Sequence, residues 1–315
     1  MHSPSLSRLA LSLLALLTSI PLHAQQDAAM SHYWQLEPQL NPAAVGRTPQ
    51  LNIVGAVQTH AAGYTDAGST MYAGADMAFQ IGRTRHGVGL NFMNDEFGLF
   101  SHKRFSLQYA YHLHLFGGTL SIGAALDMLN ESVNGSKADL EDANDPAFPT
   151  SDISGSKFDT SAGLYYAHKH WYAALATQHI TAPTVLLGET NETKVERLYN
   201  FMAGCNIRPR HSFITIAPST LLRYDGTEFR ADVTARVIYE TDRKCLYGGL
   251  GYSPRHSVTG FVGGKYHGIE LGYSYEANTE GIGFGAGQHE VTIAYKLDLN
   301  LKKRGKNAHR SVRYL

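Results

Sequence analysis

Histidine is the residue type in this sequence whose abundance first suggests chemistry. There are 16 histidines, and imidazole is the commonest metal ligand among protein side chains. His112 and His114 would share one face of a β-strand, and His102 lies nearby in a predicted loop. A polar histidine in a wet environment needs no metal, and this simpler explanation is the one that we favour. We therefore expect no metal site.

Three other patterns of reactive or glycine-rich residues could carry chemistry. Serines and histidines on neighbouring strands could form a hydrolase triad of the phospholipase type, but the sequence singles out no particular triple. Glycines between Gly281 and Gly287 lack the strand-to-helix setting of a nucleotide site. Acidic residues cluster in one segment without the spacing of a calcium loop: Asp139, Glu141, Asp142, Asp145 and Asp152. The sequence thus predicts neither a catalytic residue nor a cofactor, and no enzyme.

The first residues have the layout of a secretory signal peptide. Arg8 precedes an apolar run from Leu9 to Leu17, and Leu22-His23-Ala24 ends in a small residue suited to cleavage. The run is too short for a transmembrane anchor, and no cysteine near the cut could carry a lipid. We expect residues 1–24 to be removed and the mature chain to begin near Gln25.

The composition of the chain favours β-structure. It contains 31 glycines, 18 tyrosines and 13 phenylalanines, and only 17% of its residues are charged. The formal net charge of +0 gives no basic field for nucleic acid, so we expect no nucleic-acid partner. Cys205 and Cys245 fall on non-neighbouring predicted strands, which favours two unpaired, partly buried thiols over a disulfide.

Alternation of apolar and polar residues is the strongest signal. From Phe105 to Leu115 every second residue is a large apolar one, and the residues between them are mostly polar. The pattern recurs from Phe229 to Tyr239, from Ile269 to Tyr275 and from Val291 to Leu297. It places one face of each strand in an apolar environment, and each run is about as long as a tilted strand that crosses a bilayer.

The alternating runs predict an all-β fold: a single transmembrane antiparallel β-barrel of about fourteen strands. Pro218 makes one of the runs irregular. Tyr109, Tyr239, Tyr273 and Tyr275 would suit an aromatic girdle. The predicted strands are 50–58, 69–82, 86–95, 103–115, 118–131, 158–168, 170–179, 197–208, 212–225, 228–240, 244–252, 256–266, 268–277 and 288–298.

The predicted connections differ between the two ends of the strands. With a periplasmic N-terminus, short periplasmic turns fall at 83–85, 116–118, 169, 209–211, 241–243 and 267. The extracellular loops include 59–68, 96–102, 132–157, 180–196 and 278–287, although the turns near Gly226 and Pro254 are short. This asymmetry is typical of outer-membrane barrels. A soluble sandwich or propeller is the alternative, but the sequence has no blade-length repeat.

Two segments are expected to lie outside the barrel, which spans 50–298. Residues 25–49 form a periplasmic N-terminal segment, and residues 299–315 form a periplasmic C-terminal tail. The tail is either a solvated or lipid-contacting end, or a docking site for an acidic partner. It contains six cations and no acid: Lys302, Lys303, Arg304, Lys306, Arg310 and Arg313.

The segment HYWQLEPQLNPAAVG, from His32 to Gly46, carries a resemblance to a known family. An aromatic residue is followed by Asn41, Pro42, Ala43 and Gly46 just before the first strand. In this the chain resembles the PorP/SprF family of type IX secretion-system membrane proteins. The layout of nearly the whole mature chain agrees, but only the Asn-Pro-Ala element is fairly specific. Its residue types alone, without the resemblance, predict a turn that positions the chain before the barrel.

The resemblance implies an outer-membrane component of the export system of the Bacteroidota. Family members are linked to export or surface retention of proteins and, in gliding species, to adhesins. It thus implies contact with outer-membrane lipid, periplasmic secretion components and secreted surface cargo. The alternative is a pore or small-solute transporter, because fourteen strands can enclose a channel. A docking barrel filled by side chains or by its N-terminal segment would conduct little.

Overall fold

The computed structural model describes residues 28, 30–60, 67–137, 151–188, 191–210, 212–241, 244–279 and 287–298. The expected signal peptide 1–24 and basic tail 299–315 lie outside these ranges. So do the acidic residues from Asp139 to Asp145 and most of the stretch from Gly281 to Gly287.

The described strands form a closed antiparallel barrel and one small separate sheet. In chain order, the strands are β1 Leu51–Thr59, β2 Ser69–Ile81, β3 Thr84–Phe97, β4 Phe100–Leu115, β5 Gly118–Asn134, β6 Asp152–Ala167, β7 Trp171–Gln178, β8 Thr184–Leu187, β9 Asn191–Lys194, β10 Leu198–Cys205, β11 Ile214–Tyr224, β12 Phe229–Glu240, β13 Cys245–Ser253, β14 Ser257–Tyr266, β15 Ile269–Asn278 and β16 Gln288–Leu297. Fourteen of them make up the barrel; β8 and β9 pair only with each other.

The barrel closes where its first and last strands meet. Leu51 of β1 pairs with Leu297 of β16, and Thr59 pairs with His289, so this ladder runs the full length of β1. We call the end where β1 begins and β16 ends the near side, and the opposite end the far side. A closed ring leaves no strand edge exposed, which is the condition for a sheet to lie in lipid. The predicted barrel of about fourteen strands is confirmed.

The predicted alternation of faces is also confirmed. On β4, Leu107 is 57% exposed on the outside, whereas its neighbours Ser106 and Gln108 are each 4% exposed on the inside. On β12, Val233, Ala235 and Val237 point outward, and Thr234 and Arg236, which alternate with them, point inward. The outer surface is therefore apolar and the inner surface polar, as in transmembrane barrels.

Some predicted boundaries differ from the structure. The loop predicted at 96–102 is a two-residue turn of Gly98 and Leu99, because Gly98 adopts a positive φ of 58° that permits a tight reversal. The loop predicted at 132–157 is shorter, since the β5–β6 ladder extends to Asn134 and Asp152. The near-side connection predicted at 209–211 is longer, because β10 ends at Cys205 and β11 begins at Ile214.

Pro218 lies within a continuous strand, although the sequence suggested an interruption. It pairs with Ala235 of β12 on one side. On the other side the ladder with β10 stops at Gly204 and Ser219 and resumes as a single bridge between Ile207 and Ile216. The proline, which has no N–H to donate, therefore falls in a gap of that ladder.

A hairpin that the sequence did not predict packs on the inner face of the far-side wall. β8 and β9 lie within the loop predicted at 180–196. Val185 and Leu187 are buried against Leu129 and Val133 of β5. At Gly155 of β6 a side chain would overlap with the hairpin backbone, so glycine permits this close approach. The hairpin thus covers part of the far-side mouth.

The outward apolar face predicts that the cost of a charged substitution depends on its depth in the bilayer. Leu107, in the middle of β4, should lie near the centre of the bilayer, and Leu115, the last residue of β4, near its interface. We expect Leu107→Arg to destabilise the folded barrel by about 2–4 kcal/mol and Leu115→Arg by about 0–1 kcal/mol. Urea titration of the protein in lipid vesicles would measure both. Equal costs for the two variants would contradict the assigned membrane position.

Candidate functional site: the plugged lumen

The N-terminal segment lies inside the barrel. Residues 30–46, which we call the plug, occupy the lumen, and Leu36, Ala43 and Val45 in it are each 0% exposed. The sequence placed residues 25–49 before the barrel on the periplasmic side, whereas the described part from Met30 to Gly46 is enclosed by the wall. The reason is that the inner wall carries buried polar groups, and the plug supplies partners for them.

The plug folds into two short helical turns. A four-residue helix, α1, spans Glu37–Leu40 with Pro38 in its first turn, where a missing N–H costs nothing. A 3-10 turn follows at Pro42–Ala44. Asn41 stands between them in an extended conformation, and its Oδ1 accepts the N–H of Ala43 at 2.8 Å. The Asn-Pro element thus ends one turn and starts the next.

The same asparagine attaches the plug to the wall. Its Nδ2 donates to the carbonyl oxygens of Leu164 at 3.0 Å and Leu175 at 3.3 Å, on β6 and β7. At Gly163 a Cβ would overlap with the Asn41 side chain, and at Gly123 a Cβ would overlap with Ala43. The family element therefore fits against the wall only where β5 and β6 have glycine.

The end of the plug is held in the same way at β2 and β3. Gly46 has a φ of 66° and donates its N–H to Asp76 at 2.8 Å. A side chain at Gly87 would overlap with the carbonyl of Val45, and one at Gly89 would meet the Val45 side chain. The last residue of the element is thus a glycine because both the φ and the close contact with β3 require it.

Wall side chains bind the carbonyl groups of the plug. The carbonyl of Pro38 accepts from Gln108 at 2.7 Å, and the carbonyl of Leu40 accepts from Asn200 at 3.1 Å. The carbonyl of Gln39 accepts from Arg104 at 3.1 Å and from Gln178 at 2.8 Å. These are the carbonyls that a short helix leaves unpaired, and side chains from three strands, β4, β7 and β10, satisfy them.

Two buried glutamates hold the start of the plug. Glu290 on β16 accepts the backbone N–H groups of Ser31 at 2.5 Å and His32 at 3.0 Å, and its Oε1 lies 2.7 Å from Nδ1 of His32. Glu276 on β15 accepts the hydroxyl of Ser31 at 3.0 Å and the guanidinium of Arg230 at 3.0 Å. Both carboxylates are almost completely buried, which raises the cost of losing these partners.

Aromatic residues fill the rest of the lumen. The hydroxyl of Tyr33 lies 2.9 Å from Ser219 and 3.0 Å from Thr234, and burial raises the pKa of this phenol. The Trp34 ring packs 5.0 Å from Phe261, and the guanidinium of Arg236 lies 4.1 Å from its centre. The plug therefore contacts the β11–β14 side of the barrel as closely as the β3–β7 side.

An ion pair marks the near-side surface of the plug. Arg47 binds Glu37 and lies 3.9 Å from the ring centre of Tyr165, whose hydroxyl donates to Glu37 at 3.0 Å. Burial acts to lower the pKa of the Arg47 guanidinium, but Glu37, Tyr165, Tyr172 and Asp76 together outweigh it, so the pKa lies above its usual value. The guanidinium therefore remains charged at any physiological pH.

The other predicted candidates lie elsewhere. His112 faces the lumen 2.7 Å from Ser121, and His114 is exposed near the near-side rim. Cys205 and Cys245 are free thiols, as expected. No group of three or more potential metal ligands stands together in the described part of the chain. Nor does any helix among the described ranges have the length and apolar character needed to cross a bilayer.

The family model for type IX secretion system membrane protein PorP/SprF matches residues 22–295. This chain belongs to the PorP/SprF family. Family membership and the closed barrel make it an outer-membrane component of type IX secretion. The position of Asn41, Pro42, Ala43 and Gly46 gives the family element a physical role, since it packs closely on glycines of the wall. No curated protein matches the sequence.

Several solved structures are similar in outline to this family member. They include the CymD monoaromatic hydrocarbon channel (TM-score 0.49, 12% identity, covering 83% of this chain and 92% of that chain) and a Pseudomonas aeruginosa FadL homologue (TM-score 0.49, 10% identity, 82% and 92%). Another is the Acinetobacter baumannii outer membrane protein Omp33 (TM-score 0.41, 6% identity, 79% and 98%). At these TM-scores the similarity carries no conclusion about substrate or mechanism.

The glycine contacts predict how the plug can be displaced. In Gly123→Val, the new side chain would occupy the position of Ala43, so we expect the plug to leave its site while the barrel still forms. Ala44 is 5% exposed in the native chain, so a cysteine at this position reports displacement of the plug. Ala44→Cys is introduced in a Cys205→Ser/Cys245→Ser background, so that it is the one cysteine available to the label. Maleimide should label it in the Gly123→Val protein and not in the parent.

Gly260→Val is the matched control, because a Cβ at Gly260 meets nothing within 4 Å. It adds the same side chain to a barrel strand without touching the plug. Equal protection of Ala44→Cys in both valine variants would show that the plug does not depend on the Gly123 contact.

Proposed function

We propose that this protein acts in type IX secretion as a closed-lumen scaffold: it docks periplasmic machinery at its near side and retains secreted cargo at its far side. The observation that carries the proposal is the plug. Wall side chains from β2 to β16 bind it around the whole circumference, so the lumen is built to hold protein rather than to pass solute.

The far side offers the surface for cargo. The β5–β6 ladder extends to Asn134 and Asp152, beyond the level at which most other strands end, and the β8–β9 hairpin is packed against it. Loops raised on a rigid support are where binding residues are most often found. We assign the far side to the cell surface and the near side to the periplasm, since both ends of the barrel chain are on the near side.

The rival function is a pore for small solutes. The state of the plug distinguishes the two functions, because a scaffold requires a closed lumen at rest, whereas a pore requires a lumen that is open or can open. Full-length protein in planar bilayers should show little stable current, whereas Gly123→Val should conduct and Gly260→Val should not. A steady current from the full-length protein would contradict the scaffold and favour the pore.

The basic tail is proposed to contribute to docking on the periplasmic side. β16 ends at Leu297 on the near side, so the chain leaves the barrel there. Deletion of residues 299–315 should weaken recovery of periplasmic secretion components in a pull-down. The loss should be larger at low salt, because high salt screens exposed charge pairs and removes the contribution of the tail in the parent as well. A variant with Lys302, Lys303, Arg304, Lys306, Arg310 and Arg313 all changed to Gln controls for length. Unchanged recovery with the deletion would remove the tail from the mechanism.

A further inference from the structure

The two rims of the barrel differ in charge, although the formal net charge is +0. On the far rim the described acids outnumber the described cations: Asp95, Glu96, Glu131, Asp152, Glu192, Glu196, Asp225 and Glu228 against Lys103, Lys137, Lys157, Lys194, Arg197 and Arg255. On the near rim the described exposed cations are Arg83, Lys169, Arg208, Arg210, Lys244, Lys265 and Lys296, against the exposed Glu240 and Asp298 and the half-buried Glu270, which pairs across the ladder with Lys265. The near rim is therefore the basic end of the molecule.

The exposed near-rim cations form no ion pair within the described part of the barrel. Among the described residues, none of them has a carboxylate within ion-pair distance, whereas the half-buried Arg47 and Arg230 both do. The difference matters because paired charges hold the fold together, while exposed unpaired charges of one sign create a field that attracts an opposite charge. The near rim thus has charge available for a partner.

A concave surface opens at this rim. A cavity of about 680 Å³ lies between the β12–β13 and β14–β15 turns, and Lys244, Lys265 and His267 line it together with Glu240 and Cys245. Such a volume is within the range of pockets that hold a ligand or a few side chains. It lies on the near side of the plug, because Cys245 and Lys265 are at the near ends of their strands.

The direction of two lysines decides between lipid and protein as the partner. Thr259 and Phe261 of β14 face the lumen, and Lys265 continues this inward series; Lys296 likewise continues the inward series of Thr292 on β16. Lipid headgroups surround the outside of a barrel, whereas these two side chains are directed toward its mouth. The geometry therefore favours a ligand that enters the mouth from the periplasm.

We propose that the near-side mouth, centred on Lys244, Lys265 and Lys296, is the docking site for an acidic segment of a periplasmic protein. This rests on the proposed function, since it names the chemistry by which the scaffold recognises the periplasmic machinery. Carboxylates of the segment bind the lysines, and the surrounding rim cations attract it from a distance.

The test uses the full-length protein in phosphatidylcholine nanodiscs and a fluorescein-labelled polyglutamate peptide as the probe. The peptide should bind, and binding should fall steeply when the salt concentration rises from about 0.05 M to about 0.5 M. Lys244→Gln/Lys265→Gln/Lys296→Gln should weaken it by about tenfold, the combined effect expected of several exposed ion pairs. Glu240→Gln should tighten it, because it removes an acid from the described lining of the cavity.

The matched control carries the same change in charge on the far rim, Lys157→Gln/Lys194→Gln/Arg197→Gln. It should leave peptide binding within about twofold of the parent. Equal weakening by both triple variants would overturn the site, because only net charge would then matter. Loss of peptide binding when phosphatidylglycerol is added to the nanodisc would overturn it in favour of lipid headgroups.

Failure of this docking site can be distinguished from failure of the proposed function. Failure of the scaffold would appear as a stable current through the full-length protein, whereas failure of this docking site would appear as peptide binding that ignores the near-side lysines. Trypsin resistance of each variant checks that the barrel has formed.

Discussion

The need to pair polar groups inside a closed barrel governs this structure. Lipid outside forces the strands into a ring, and the ring directs its polar side chains inward, where they require partners. The plug supplies those partners: its backbone groups accept from Gln108 and Asn200 and donate to Glu290 and Asp76. The barrel and the plug therefore specify each other, and neither is complete without the other.

This mutual dependence explains why the family element has its composition. Asn41 is both a cap and a wall contact, Pro42 starts the next turn, and Gly46 allows the chain to pass close to β3. A filled lumen, a raised far-side wall and a basic near-side rim then divide the molecule into three parts. The middle fills the lumen, and the two ends are the surfaces that we propose for partners of different chemistry.

Much of the fold could be predicted from the sequence, because period-two alternation is a local signal. It correctly predicted the strands and their outward faces, as at Leu107 and Val233. The plug could not be predicted in this way, since its contacts join residues far apart in the chain, such as Asn41 with Leu164, and an irregular segment has no period. The β8–β9 hairpin was missed because its strands are only four residues long.

The most direct test of the account is deletion of the gene, followed by comparison of surface, medium and periplasmic proteins and of small-solute uptake. The account predicts that secreted proteins disappear from the surface or the medium while other barrel proteins and solute uptake are unchanged. Normal secretion combined with impaired uptake of a solute would contradict it and would make the protein a transporter.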